Sequence, residues 1–379
     1  MIPKIDTIDL LQLASGDRLS LQVYKFIGSQ PGKKAYLQSN LHGAEIVGNT
    51  VIHQLIEFFS SLESTQIQGE IWLVPVCNPL STNQRSHFFA SGRYNSYDGK
   101  DWNRIFWDYE KETQKLNSFV SKNITEETAE IRYHFLKVIQ AAFQKEITKV
   151  NQPSSLPYHE QYRYLLQSLC LDANYVIDIH SSSNQGLDYL YCCQTREASA
   201  KYFLLDYAIV LNEYDGDAFD EAFIKPWLAL EKRLAQLGQE TRFDLESWTL
   251  ELGSGMEINS ESVAKGTRGI INYLAAKEIL KIADFPLAET NANQLILVGK
   301  SQIKKYHTFA GGMIQKIIPL ETKVKPGDKL YQLLSFNKQG KVPTVIDVCA
   351  ESAGIVFDIA TNKSVNQGEY VLSILEIAS

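Results

Sequence analysis

The chain has 379 residues, 44% of them hydrophobic and 21% charged, with a net charge of -7 at neutral pH. That composition suits a globular protein with enough apolar side chains for two domains, or for one large domain with an appendage. The acidic balance, with no basic stripe, excludes a nucleic-acid footprint, and no run reaches the ~18 apolar residues that a membrane span needs.

The start of the chain, Met1-Ile2-Pro3-Lys4-Ile5-Asp6, lacks a basic segment followed by an apolar stretch, so no signal peptide is expected and a reducing cytoplasm is the expected location. Leu21 to Ile27 and Ala35 to Leu41 read as strands, the second leading into His42-Gly43. From Ala44 the pattern turns helical: Ile46, Val47, Thr50, Val51, Leu55, Ile56 and Phe59 recur at three- and four-residue steps. Glu70 to Val76 is a short apolar strand closed by Asn78-Pro79. This strand–helix–strand order predicts an α/β domain with a mainly parallel sheet.

Residues 105–170 are polar, rich in Tyr, Gln and Lys, and mostly helical in pattern, with a break at Gln152-Pro153-Ser154-Ser155; they read as a helical insertion. Tyr175 to Ile179, Tyr189 to Cys193, Ala208 to Leu211 and Thr249 to Leu252 are further strand candidates, and Phe219 to Leu237 and Ser262 to Ile282 read as helices. Beyond Leu287 short β-like runs alternate with Gly-containing turns such as Lys325-Pro326-Gly327-Asp328, which predicts a small all-β unit. The expected division is 1–290 for the catalytic domain and 291–379 for a β-rich domain. The five cysteines are scattered and include no C-x-x-C pair, so neither a disulfide framework nor a zinc–thiolate site is expected.

Four short elements carry chemistry. His42-Gly43-Ala44-Glu45 is an H-x-x-E at a strand-to-helix junction, where an imidazole and a carboxylate can converge on one point. Chance alone supplies roughly one His-x-x-acid match in such a composition, so this element means little by itself. Asp178-Ile179-His180 places an acid and a histidine on one face at a strand's C-terminal end, where open α/β sheets hold their sites. Arg93-Tyr94 and Asp101-Trp102-Asn103-Arg104 bring two guanidinium groups into one loop, and a guanidinium can grip a carboxylate by two hydrogen bonds. Thr249-Leu250-Glu251-Leu252-Gly253 holds a lone carboxylate in an apolar strand, a placement that is costly without a polar partner.

In this order the elements, with Asn40-Leu41 and Pro75-Val76-Cys77-Asn78-Pro79, resemble the succinylglutamate desuccinylase/aspartoacylase family of zinc-carboxypeptidase-like metallohydrolases, over roughly residues 35–275. The resemblance implies a mixed α/β sheet flanked by helices with a smaller, barrel-like C-terminal β domain. It implies one Zn²⁺ per chain on His42, Glu45 and His180, with Asp178 behind His180. Glu251 would be the general base toward a zinc-bound water, and Arg93 would stabilise the oxyanion. Asn103 and Arg104 would hold the substrate's α-carboxylate, and Arg242, nine positions before Glu251, would take the carboxylate of the acyl chain.

The activity so implied is amide-bond hydrolysis of an N-acyl amino acid, a small carboxylate-bearing substrate. A carboxypeptidase-like peptidase or amidase acting on peptide or cell-wall fragments is the alternative within the enzyme class. A degenerate ligand-binding module is the alternative outside it. Neither a nucleic acid nor a membrane is expected as partner, and a homo-oligomer stays open. The long loop between Arg93 and Asn103 and the large insertion after Arg104 depart from the family pattern, and both border the expected pocket.

Overall fold

The structure is a computed structural model that describes residues 1–113, 115–150, 152–214, 216–290 and 295–377. Strands β1 (Lys4–Gln12), β2 (Arg18–Ile27), β3 (Gln30–Ser39), β4 (Gln68–Val74), β5 (Tyr175–Ser182), β6 (Tyr189–Cys193), β7 (Tyr207–Leu211), β8 (Glu246–Ser254) and β9 (Ile296–Gly299) form one sheet in the order β1-β2-β4-β3-β5-β8-β6-β7-β9. Its centre, β4-β3-β5-β8, is parallel, whereas β6 runs antiparallel to β8.

Helices cover both faces of the sheet, which is why β5 reads as a nearly unbroken buried run, Tyr175-Val176-Ile177-Asp178-Ile179-His180-Ser181. On one face α1 (Val47–Ser61) buries Val47, Val51, Ile52, Leu55 and Phe59, a three-to-four-residue stripe, against Leu37, Ile177, Ile179 and Leu250. Helix α6 (Ser260–Ala276) packs beside it through Val263 and Ile270. On the other face lie the insertion helices α2 (Leu116–Asn123), α3 (Thr128–Val150) and α4 (Tyr158–Ser168), together with α5 (Phe219–Gln236). Phe135 and Phe143 of α3, Tyr162 of α4 and Phe219, Phe223 and Trp227 of α5 meet Tyr36, Val176 and Cys193 of the sheet there.

The sequence reading overlaps these elements with two differences in the sheet. Strand β1 is absent from it, because this edge strand is mostly exposed and interleaves acids with its apolar residues; Asp6 pairs with Lys25 of β2 at 2.7 Å. Strand β9 lies beyond residue 290 yet pairs in parallel with β7, so the large sheet draws its last edge strand from past the expected boundary. No helix among the described residues is long and apolar enough to cross a membrane.

From Ile303 onward two small sheets enclose a separate core that includes Leu330, Leu333, Val356, Leu372 and Ile374. This β-rich unit docks on the segment that follows His180. The Asp358 carboxylate accepts from Ser182 Oγ at 2.5 Å, Asn184 Nδ2 at 3.0 Å and Tyr370 Oη at 2.6 Å. Gln185–Gly186 adds a short antiparallel strand against Asp358 and Ile359. Asp358→Ala leaves three donors without their acceptor and should lower stability by about 1–3 kcal/mol, read as a shift of the urea midpoint; an unchanged midpoint would show the dock to be inconsequential.

Candidate metal centre

The ligand loop leaves β3 through Asn40, whose φ of 66° turns the chain sharply. Asn tolerates this left-handed region better than most residues, and here its side chain also organises the loop. Asn40 Nδ2 lies 3.2 Å from the carbonyl of His42 and 3.2 Å from that of Glu45, while its Oδ1 accepts from Thr82 Oγ1 at 2.5 Å. Asn78, at the end of the Val76-Cys77-Asn78-Pro79 segment, donates to the Leu41 carbonyl at 3.1 Å and caps the short helix Pro79–Asn83. Gly43 leaves no room for a side chain: a Cβ there would stand 2.0 Å from the Ser81 carbonyl oxygen. Helix α1 begins only at Val47, so Glu45 sits in the turn before the helix and not in its first turn, its N–H donating to the His42 carbonyl at 3.1 Å.

His180 lies inside β5, one strand away from this loop. His42, Glu45 and His180 are all buried, and one ligand atom from each lies within 4.8 Å of the others. Glu45 is the pivot: its Oε1 is 2.9 Å from His42 Nδ1 and its Oε2 is 2.8 Å from His180 Nδ1. The far nitrogen of each ring faces its own carboxylate, His42 Nε2 to Asp101 Oδ1 at 2.9 Å and His180 Nε2 to Asp178 Oδ2 at 2.9 Å. Asp178 is held in turn by Gln38 Nε2 at 3.0 Å, and Tyr36 donates to Gln38 Oε1 at 2.9 Å.

The charges follow from these contacts. Burial opposes ionisation of Glu45, but His42 and His180 outweigh it and hold the carboxyl far below its usual range. Burial likewise opposes charging of the two rings, and the facing carboxylates reverse this, raising both imidazoles, His180 the more. Asp101 is drawn down to about 2 against the cost of burial, chiefly by its hydrogen bond from His42.

Glu251 lies in β8 directly beside His180 in the strand register. Its Oε2 is buried without a hydrogen-bond partner, and burial lifts its carboxyl to about 7 against the pull of His180, Arg93 and His42. Arg93 reaches the cluster from the loop before Asp101: its Nε is 3.0 Å from Asp101 Oδ2 and its Nη1 3.6 Å from Glu45 Oε1, with 43% of the side chain still exposed.

Asn103 and Arg104 follow in the turn capped by Asp101, which accepts from the Asn103 N–H at 2.8 Å. Asn103 Oδ1 accepts from the Phe219 N–H at 2.8 Å, tying this turn to the start of α5. Arg104 is exposed. Arg242 is not brought to the cluster. It precedes β8, whose opposite end carries Glu251, and it lines a surface cleft with Gln194, Thr195, Tyr214 and Lys225.

Two contributors carried no role in the sequence reading. Asp101 stands in the segment already singled out, but only the fold reveals that it meets His42, 59 positions away. Gln38 follows the apolar run Ala35-Tyr36-Leu37 and precedes Ser39 and Asn40, so the sequence does not set it apart from the polar end of its strand.

A mixed sheet with helices on both faces, a buried His-Glu-His cluster at the C-terminal ends of its parallel strands, and a β-rich C-terminal unit together define a mixed α/β architecture with a candidate metal-binding site. Residues 31–138 match the succinylglutamate desuccinylase/aspartoacylase catalytic domain. A succinylglutamate desuccinylase/aspartoacylase family protein from Shewanella amazonensis SB2B is 27% identical, with 98% of each chain covered and a TM-score of 0.85. A structure from Shewanella frigidimarina NCIMB 400, named for the same two activities, is 23% identical over 99% of this chain and 97% of that one, at a TM-score of 0.88. The product-bound ectoine utilization protein EutE (DoeB) from Ruegeria pomeroyi shares the fold at 17% identity and a TM-score of 0.66, over 100% of this chain and 96% of that one. No curated protein matches the chain. The matched segment and the 27%-identical structure support assignment of this chain to the succinylglutamate desuccinylase/aspartoacylase family, a family of hydrolases.

A proton on either Nδ1 would compete with a cation for the same lone pair. Zinc binding should therefore release protons and tighten as pH rises, since the ring affinities for protons are raised. Titration calorimetry in buffers of different ionisation enthalpy measures the release. His42→Ala or His180→Ala should abolish stoichiometric zinc binding, and Asp101→Asn or Asp178→Asn should weaken it by roughly 10- to 100-fold. Wild-type zinc affinity in either histidine variant would remove the cluster from consideration.

Proposed function

We propose that this chain is a zinc-dependent hydrolase that cleaves the amide bond of an N-acyl amino acid, with Glu251 as general base. The observation that carries this reading is the buried, unpartnered Glu251 oxygen beside a buried His-Glu-His cluster. A carboxylate oxygen placed beside the cluster with no protein donor on it can accept from an attacking water.

The donor set fits zinc. With each Nε2–H given to an aspartate, both Nδ1 lone pairs are free to face Glu45, and two imidazoles with one carboxylate are a catalytic zinc shell that leaves a coordination position open. A zinc ion held there supplies Lewis acidity toward the attacking water and the scissile carbonyl.

The chain's own groups supply the rest. Glu251 takes a proton from the attacking water and returns it to the leaving amine. Arg93, anchored by Asp101 and partly exposed, offers a guanidinium to the oxyanion that develops on the carbonyl oxygen. Arg104, exposed in the adjoining turn, is a cation for the α-carboxylate of the amino-acid half. Asn103 holds that turn through its contact with Phe219 and is a positioning residue as much as a ligand. Fixing the carboxylate in this way aligns the amide over the base.

Glu251→Gln keeps the size of the side chain and removes its basicity. It should retain zinc and lower kcat by about 10²- to 10⁴-fold. In wild type the acid limb of kcat/KM should fall at or below about 7, the value to which burial lifts the carboxyl, because a bound cation favours the carboxylate form. Activity should rise with pH through this limb as the base ionises, and the limb should flatten in the variant. The assay is amine release from a panel of N-acyl amino acids and short peptides. Near-normal kcat in Glu251→Gln, or parallel loss of zinc, would overturn the assignment, and turnover of peptides alone would shift it to a carboxypeptidase.

A further inference from the structure

The strand register places more than the metal cluster on one face of the sheet. Glu251 pairs with His180 on one side and with Tyr189 on the other; one pleat deeper, Thr249 pairs with Asp178 and with Tyr191. Directly paired residues present their side chains on the same face. The face therefore carries two rows, His180-Glu251-Tyr189 and Asp178-Thr249-Tyr191, in which the tyrosines of β6 lie across the general base from the metal centre.

These tyrosines are coupled to each other. Their hydroxyls are 3.4 Å apart, and their rings meet edge-on with centroids 5.3 Å apart at 77°. Tyr189 is buried, and its ring lies 4.7 Å from that of Phe357 in the β-rich unit. Tyr191 is different. It belongs to an interior strand with β8 and β7 on its flanks, and its neighbours Leu190, Cys192 and Cys193 are buried, yet Tyr191 itself stays partly exposed. Part of the Tyr191 side chain therefore reaches solvent. Burial and the Glu251 charge raise both phenols, and Arg104 opposes the rise at Tyr191, so Tyr191 lies within electrostatic reach of both the base and the carboxylate-binding cation.

We propose that the Tyr191 hydroxyl, oriented by Tyr189, is a specificity-determining contact that donates a hydrogen bond to the carboxylate of the substrate's amino-acid half on the side of Glu251 away from the metal cluster. This rests on the deacylase reading and deepens it. The order of groups along the row sets the polarity of the substrate. The carbonyl lies at the metal cluster and the leaving amine lies at the residue that protonates it, so the amino-acid half extends onward to the tyrosines. Arg104 is exposed, and an exposed cation discriminates weakly between acids because solvent screens it. A neutral phenol fixed by a strand and by a second tyrosine adds a donor at a defined place, and such a donor rejects analogues that cannot accept from it. The β-rich unit enters through Phe357, which backs Tyr189 and so acts on the substrate site without touching substrate.

Tyr191→Phe removes the hydroxyl and keeps the ring. Zinc-loaded wild type and variant are compared on a panel of N-acetyl-L-amino acids and their α-carboxamides, and by calorimetry with the free L-amino acids, which needs no turnover. In Tyr191→Phe the KM for the carboxylates and the Kd of the free amino acid should rise about 10- to 100-fold, as for a lost hydrogen bond to a charged group. Over the same comparison kcat should stay within about threefold, zinc content should hold and the carboxamides, which offer only a neutral carbonyl acceptor, should be affected less. Tyr189→Phe, which keeps the stack on Phe357, should show a smaller effect in the same direction. Unchanged KM and Kd in an otherwise active enzyme would overturn the contact and leave the deacylase reading intact. Loss of zinc or of kcat with KM unchanged would also overturn it. A wild type that hydrolyses none of the panel and binds no free amino acid would overturn both.

Discussion

A single carboxylate bridging two imidazoles organises this molecule. Glu45 faces both Nδ1 atoms from a position 2% exposed, and no comparable group could stay charged there without partners on both sides. The partners come from different places in the chain, His42 from the same loop and His180 from β5, so the contact also joins two neighbouring parallel strands at their C-terminal ends. Each ring is braced behind by an aspartate, and the aspartates are braced by Arg93 and Gln38. The result is a continuous polar chain through an apolar sheet, and beside it the Glu251 Oε2 has no hydrogen-bond partner among the described residues.

The scaffold around this chain divides its work between two kinds of constraint. Backbone turns are fixed by amides: Asn40 gathers the carbonyls of His42 and Glu45, and Asn78 holds that of Leu41, so the ligand loop is set before any cation arrives. The Met256 N–H donates to the Ala44 carbonyl at 2.7 Å, which ties the segment after β8 to the same loop and keeps Glu251 in step with it. The second constraint comes from outside the sheet. Asp358 grips Ser182 and Asn184 just after His180, and Phe357 presses on Tyr189, so the β-rich unit reaches the centre from two sides of its rim. A domain that holds none of the cluster residues thereby still borders the place where chemistry is expected.

Much of this was legible in the sequence because the residues concerned violate the pattern around them. A histidine and an acid at the end of an apolar strand, a lone glutamate in another, and an H-x-x-E at a strand's exit each break the hydrophobic periodicity, and the fold brings these groups together. The misses arise where the violation was absent or its meaning was nonlocal. Strand β1 alternates acids with apolar residues and resembles exposed chain. Glu45 falls outside α1 because the residues before Val47 follow the loop set by Asn40, whatever their own helical spacing. Arg242 was placed by distance along the chain from Glu251, but five residues of strand separate the start of β8 from Glu251 and carry the two to opposite ends of the sheet. Asp101 and His42 are 59 positions apart, and no local pattern announces their contact.

Charge balance links the cluster to the base. Four carboxylates, Glu45, Asp101, Asp178 and Glu251, share this centre with one guanidinium, Arg93, and two imidazoles. With neutral rings and all four acids ionised, the excess is three negative charges. Protons can relieve it, which is the state in which both rings are raised and Glu251 is lifted to about 7. A divalent cation held by His42, Glu45 and His180 would relieve most of it by another route and would favour the charged form of Glu251. Arg93 acts on Glu251 in the same direction. A change that weakens the cluster therefore alters Glu251 as well, because the same buried field governs both.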